Sequence, residues 1–125
     1  MRGKPRLYGH HAGAKRVREI VEACPDLGVK YLTIFAFSTE NWKRPDSEVT
    51  VIFELLGQWL TETAPRLVSN GVKLRHYGRR APLSAEFLAN LDEACAATPA
   101  KKEFVLGLAI NYGGRAEITD AIAEV

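Results

Sequence analysis

The sequence predicts an open α/β fold, a mostly parallel sheet flanked by helices. Helix-period and strand-like stretches alternate along the whole chain, as layered α/β domains require. The stretch "VKYLTIFAF" (29–37) is β-branched, aromatic and nearly continuously apolar toward its end, which suits a strand covered on both faces, while "VKLRHY" (72–77) alternates. No repeat, low-complexity tract or linker interrupts the alternation, so residues 1–125 are expected to form a single domain.

The elements follow in order. Ala14, Val17, Ile20, Val21 and Cys24 recur at helical spacing, and Pro25 with Gly28 closes that helix. "VKYLTIFAF" (29–37) reads as a strand and runs into the charged, aromatic loop "STENWKRP". Asp46 or Ser47 is expected to cap the next helix, with Glu48 in its first turn, where a negative charge suits the helix dipole. Val49, Ile52, Phe53, Leu56, Trp59 and Leu60 make its apolar stripe, and Pro65 should kink or end it. "SNG" (69–71) is a turn, "VKLRHY" (72–77) a short strand, and Ser84 caps a helix carrying Phe87, Leu88, Leu91, Ala94 and Cys95. "FVLGLAI" (104–110) is a third strand, and a last helix begins near Arg115.

Composition narrows the function. The chain is 46% hydrophobic and 26% charged, as in ordinary soluble domains, and its formal charge of +2 is too small for nonspecific nucleic-acid binding. Cys24 and Cys95 lie in apolar helical patterns without CxxC spacing and read as reduced thiols. No apolar run approaches the ~18 residues that span a bilayer, and the basic start lacks a signal-type apolar core. A cytoplasmic location is expected, with a lipid substrate or peripheral membrane contact left open.

In parallel sheets, ligands bind beyond the carboxyl ends of the strands. That rule selects "STENWKRP" and "NYGGR", with "GRR" (78–80) a weaker third. In the first, Ser38 and Asn41 offer hydrogen bonds, Arg44 suits a phosphate, and Trp42 either covers a ligand or packs into the core. The glycines of "NYGGR" either bring backbone amides to an anion, beside Arg115, or simply let a helix pack tightly. "MRGKPRLYGH" places Arg2, Lys4, Arg6 and His10 just before a helix. That is either a diphosphate site, with His10 as proton donor, or a frayed basic terminus.

"GHHAG", then "VREIVEACPDLGVKYLTIFAFSTENWKRP", then "NYGGRAEI" together resemble the cis-prenyltransferase family. The likeness is nearest to the bacterial undecaprenyl diphosphate synthases (isoprenyl transferases) and runs over essentially the whole chain. It implies a magnesium-dependent, homodimeric enzyme of isoprenoid biosynthesis. Such enzymes condense isopentenyl diphosphate onto an allylic diphosphate, commonly farnesyl diphosphate, to give a cis-polyprenyl diphosphate of the kind that serves as a cell-wall lipid carrier.

By matched motif, Arg6 and His10 resemble the pair holding the allylic diphosphate, with His10 assisting its departure. Ser38, Thr39, Glu40, Trp42 and Arg44 resemble the substrate-covering loop, and Asn41 stands where the proton acceptor is usually assigned. A neutral carboxamide is a very weak base, so an orienting role suits Asn41 better. The stripe from Val49 to Leu60 is either one wall of a prenyl-chain cavity or ordinary core, with Leu56 and Trp59 the positions expected to govern product length.

The resemblance also implies absences. Family members open with an Asp-Gly-Asn-Gly-Arg-Trp segment, whose Asp binds magnesium, and continue to an Arg-x-Ser-Gly-type segment for isopentenyl diphosphate. This sequence matches the middle half, so the fold is expected to be truncated at both ends. The magnesium Asp is absent, no metal ligand is assigned, and the 125 residues are expected to be inactive alone. A non-catalytic partner subunit of a complete synthase is the rival reading. A generic nucleotide-binding module is weaker, for want of a Walker or GxGxxG pattern.

Overall fold

A computed structural model describes residues 3, 5–101 and 104–125. Three parallel strands, β1 (Tyr31–Ser38), β2 (Val72–Tyr77) and β3 (Phe104–Tyr112), lie in the order β1-β3-β2. Tyr31 pairs with Val105 and Ser38 with Tyr112 along β1 and β3, while Val72 pairs with Phe104 and Tyr77 with Ala109 along β2 and β3. The last strand in sequence is thus the central one. Phe104 to Asn111 are all buried, which explains why this run alone is apolar throughout.

The helices are α1 (Arg6–Ala23), α2 (Asp46–Gln58), α3 (Ala64–Ser69), α4 (Ala85–Ala96) and α5 (Gly114–Glu124). Ser84 caps α4 as predicted, its hydroxyl oxygen accepting from the Phe87 N–H at 3.1 Å. A fully buried set joins the layers: Val21 from α1, Leu91 from α4, and Phe37, Leu74, Leu106 and Ile110 from the strands. An aromatic chain runs beside it. Trp42 lies edge-on to Phe37 at 4.9 Å and stacks on Phe53 at 5.4 Å, and Phe53 meets Phe87 at 5.2 Å.

Four local expectations change. β1 is not covered on both faces: Tyr31 and Phe35 are 69% and 60% exposed, because the Tyr31, Thr33, Phe35 face is left largely open and only the Leu32, Ile34, Ala36 side packs toward the core. Likewise, Ile20 on α1 is 54% exposed although its spacing fits the apolar face. Helix α1 starts at Arg6, so His10 lies inside the helix rather than before it. Finally, α2 follows Pro45 with no side-chain cap; Asp46 and Glu48 act instead as acidic residues of the first turn.

Pro65 interrupts the α-helix, as expected, and a shorter helix follows it. Its ring and missing N–H conflict with the carbonyl of Thr61, and the chain widens into a π-type turn over Trp59–Thr63. There the Ala64 N–H donates to the Trp59 carbonyl, five residues back, before α3 continues to Ser69.

Candidate active site

Because the strands are parallel, Ser38, Tyr77 and Tyr112 end on one side of the sheet, and the segments that follow them share that side. The segment after β1 is a 3-10 turn, Thr39–Lys43, and not an open loop. Asn41 holds it closed, its Oδ1 accepting from the Ser38 N–H at 3.0 Å. That bond uses one lone pair of the carboxamide oxygen and orients the amide NH₂, which can donate. Trp42 points inward to the aromatic chain, and its Nε1–H donates to Asn111 Oδ1 at 2.9 Å. Glu40 and Arg44 remain exposed at the rim.

Arg44 and His10, 34 positions apart in the chain, converge on a residue that sequence reasoning treated only as a helix-dipole charge. Glu48 Oε1 accepts from Arg44 Nη1 at 2.9 Å and from His10 Nε2–H at 3.0 Å. The Glu48 side chain is 8% exposed, against 42% for Arg44 and 30% for His10. A carboxylate so buried needs cationic donors to offset its lost hydration, and it fixes their direction in return. With Nε2 committed to Glu48, Nδ1 is the His10 nitrogen left for a ligand. The Arg6 side chain, predicted to join this set, lies outside the described residues, as do Arg2 and Lys4.

His10 also stands at the edge of a cavity of about 270 Å³ enclosed by α1, α2 and the sheet. Gly9, Val17, Ile34, Leu56 and Trp59 contribute its walls. The predicted apolar stripe therefore divides: Ile52, Leu56, Trp59 and Leu60 line this cavity, while Phe53 turns into the aromatic chain toward Phe87. Trp59 Nε1 is buried there with no acceptor among the described residues.

"NYGGR" and "GRR" prove structural in the main. A Cβ on Gly113 would stand 2.5 Å from Thr39 Oγ1, so this glycine lets the β3 end meet the 3-10 turn, and Arg115 is exposed. Arg79 and Arg80 make bidentate pairs, with Asp120 at 2.9 Å and with Asp92 at 2.7 and 2.8 Å. Hydrogen bonds from the guanidinium groups, aided by their charge, hold both aspartates below the ordinary carboxylate value of 3.8. A lowered folded-state pKa means the pairing stabilises fully above that value and is lost as pH falls through the lower one. Asp92→Asn and Asp120→Asn should accordingly lower the urea midpoint slightly at neutral pH. The deficit should fade below about pH 4, and in about 1 M salt, where exposed pairs are screened.

Among the described residues, no three His, Cys, Asp or Glu side chains gather as a metal-holding group. Nor is any described helix long and apolar enough to cross a membrane.

A cavity lined mainly by apolar residues, with His10 of the cation–carboxylate cluster among them, beside an open parallel sheet flanked by helices, defines an α/β protein with a candidate ligand site. Comparison with known proteins agrees with that class. The prenyltransferase family model described as "Putative undecaprenyl diphosphate synthase" matches residues 1–125. The isoprenyl transferase of Heliobacterium mobile is 43% identical over 124 residues, 99% of this chain and 48% of that protein. That of Aquifex aeolicus is 42% identical, covering 99% of this chain and 54% of its own length. Among solved structures, a probable undecaprenyl diphosphate synthase from Campylobacter jejuni superposes with a TM-score of 0.83 at 36% identity, over 91% of this chain and 56% of that one. Lavandulyl diphosphate synthase from Lavandula x intermedia, in complex with dimethylallyl diphosphate, gives 0.92 at 27% identity, over 98% and 53%. The chain belongs to the undecaprenyl diphosphate synthase family of isoprenyl transferases. It spans about half the length of the relatives it matches.

Proposed function

We infer that these residues form the allylic-substrate half of a cis-prenyltransferase site, which condenses isopentenyl diphosphate onto farnesyl diphosphate. The observation that carries this reading is the largely apolar cavity that His10 helps to line, His10 being itself held by the Glu48–Arg44 pair. The prenyl chain occupies the cavity, and the diphosphate meets Arg44 and His10 at its mouth. As the carbon–oxygen bond to diphosphate breaks, His10 supplies a proton to the departing oxygen. Asn41, its Oδ1 engaged with Ser38, uses its NH₂ to orient the isopentenyl unit, and the released diphosphate takes the proton that unit loses.

The family resemblance extends the proposal to a magnesium-dependent homodimer acting in the cytoplasm, with at most peripheral membrane contact, in making a polyprenyl lipid carrier. The donors for magnesium and for the second diphosphate belong to segments that relatives carry beyond the matched half. These 125 residues alone are therefore proposed to bind without turning over.

Calorimetry with farnesyl diphosphate, farnesol and inorganic diphosphate tests the site. Farnesyl diphosphate should bind at least about tenfold more tightly than either part, since head and tail contribute together. Equal affinity for farnesol would remove the diphosphate role. In a complete synthase carrying these residues, Asn41→Asp should cut turnover by about 10- to 100-fold, because an anion replaces the donating NH₂ beside diphosphate. Undiminished turnover with a shifted pH profile would instead make residue 41 the base.

A further inference from the structure

We propose that Asn111 is the positioning residue that locks the site's two connections, after β1 and after β2, to the central strand. The sequence gives little hint of it, since Asn111 reads as the first letter of a glycine-turn motif. In the structure it is one of the few buried polar residues, 2% exposed, and its φ of +56° is a left-handed conformation that asparagine adopts more readily than most residues.

Its side chain faces both ways. Oδ1 accepts the Trp42 indole N–H at 2.9 Å, across 69 residues of sequence. Nδ2 donates to the Arg79 carbonyl at 3.1 Å and to the Ala81 carbonyl at 2.9 Å. The Asn111 carbonyl in turn accepts the Arg79 N–H at 3.0 Å. An amide is suited to this place because it alone offers a neutral acceptor and two donors on one planar group. Aspartate would keep the acceptor for Trp42 but turn an anion on two carbonyls. Alanine or glycine would abandon both connections.

The consequence lies in where Trp42 sits. It follows Asn41 within the 3-10 turn, so Asn111 fixes the register of Asn41 and Arg44 at the carboxyl end of β1, beside the Glu48–His10 pair. The inference rests on the proposed function only in treating that turn as the ligand-bearing one; the lock is a property of the protein alone.

Hydrogen exchange followed by NMR on the full chain tests it without any ligand. Asn111→Gly keeps the left-handed backbone and removes only the side chain. The Trp42 indole N–H and the Ser38 and Arg44 amides should then exchange about five- to tenfold faster, as should the Arg79 and Leu83 amides, while amides within β3 stay unchanged. Trp42→Phe should accelerate Ser38 and Arg44 but not Arg79 and Leu83. Asn111→Asp should do the reverse. The Trp59 indole, which has no described acceptor, serves as the internal reference. Unchanged exchange at Ser38 and Arg44 in a folded Asn111→Gly, or in Trp42→Phe should the glycine variant not fold, overturns the proposal. So does acceleration spread evenly over β3, which would mark a general loss of stability. A parent chain that fails to bind farnesyl diphosphate would count against the proposed function and leave this exchange pattern as predicted.

Discussion

Gly78→Ala is expected to destabilise the fold by about 3–5 kcal/mol, lowering the urea midpoint without a matching change in its slope. Gly78 has φ +138°, a region nearly closed to residues with a side chain. A Cβ there would stand 2.1 Å from the Ile110 carbonyl oxygen and 2.8 Å from that of Asn111. Both are backbone atoms of the central strand and cannot swing aside as a side-chain tip would. Either the connection after β2 lifts away, breaking the Arg79–Asn111 bonds, or the end of β3 distorts. Both outcomes also loosen the turn that carries Trp42. An alanine variant as stable as the parent would show that this connection is not seated as described.

Glu48→Leu should separate binding from stability. Removing the carboxylate frees Arg44 and His10 from the shared acceptor that fixes their directions, and His10 lines the cavity. Affinity for farnesyl diphosphate should fall about 10- to 100-fold, or about 1.4–2.7 kcal/mol, the scale of hydrogen bonds to a charged group. The lower part of that range is favoured because both cations are partly exposed and screened. Stability should change little, since a buried charge with its desolvation cost is replaced by apolar volume. Glu48→Gln, neutral but still an acceptor, should lie between leucine and the parent in affinity. Unaltered binding together with a large loss of stability would reduce Glu48 to a structural role.

These two positions mark where sequence reading stops. Gly78 is visible in the sequence only as part of "GRR", a weaker ligand-side candidate, whose arginines engage Asp120 and Asp92. Glu48 carried a correct local reading, an acid in a first helical turn, that said nothing of His10. By contrast, "FAFSTENWKRP" announced both a strand and a ligand-facing connection, and Ser38 to Arg44 do stand at the carboxyl end of the sheet. Trp42 answered one open question: it packs inward on Phe37 and Phe53.

The sequence by itself determined the local structure, because helix and strand periods, Pro65, Ser84 and the glycine turns act over a few residues. It also determined the family, through motifs whose chemistry is contiguous. Only the tertiary structure decided that β3, last in sequence, lies between β1 and β2. That order leaves β1 at the sheet edge and brings Trp42 to Asn111, while the packing of the helices leaves the Tyr31 and Phe35 face open. The physical reason is that local periodicity says which face of an element is apolar. Which distant element comes to cover that face is settled by the packing of the whole chain.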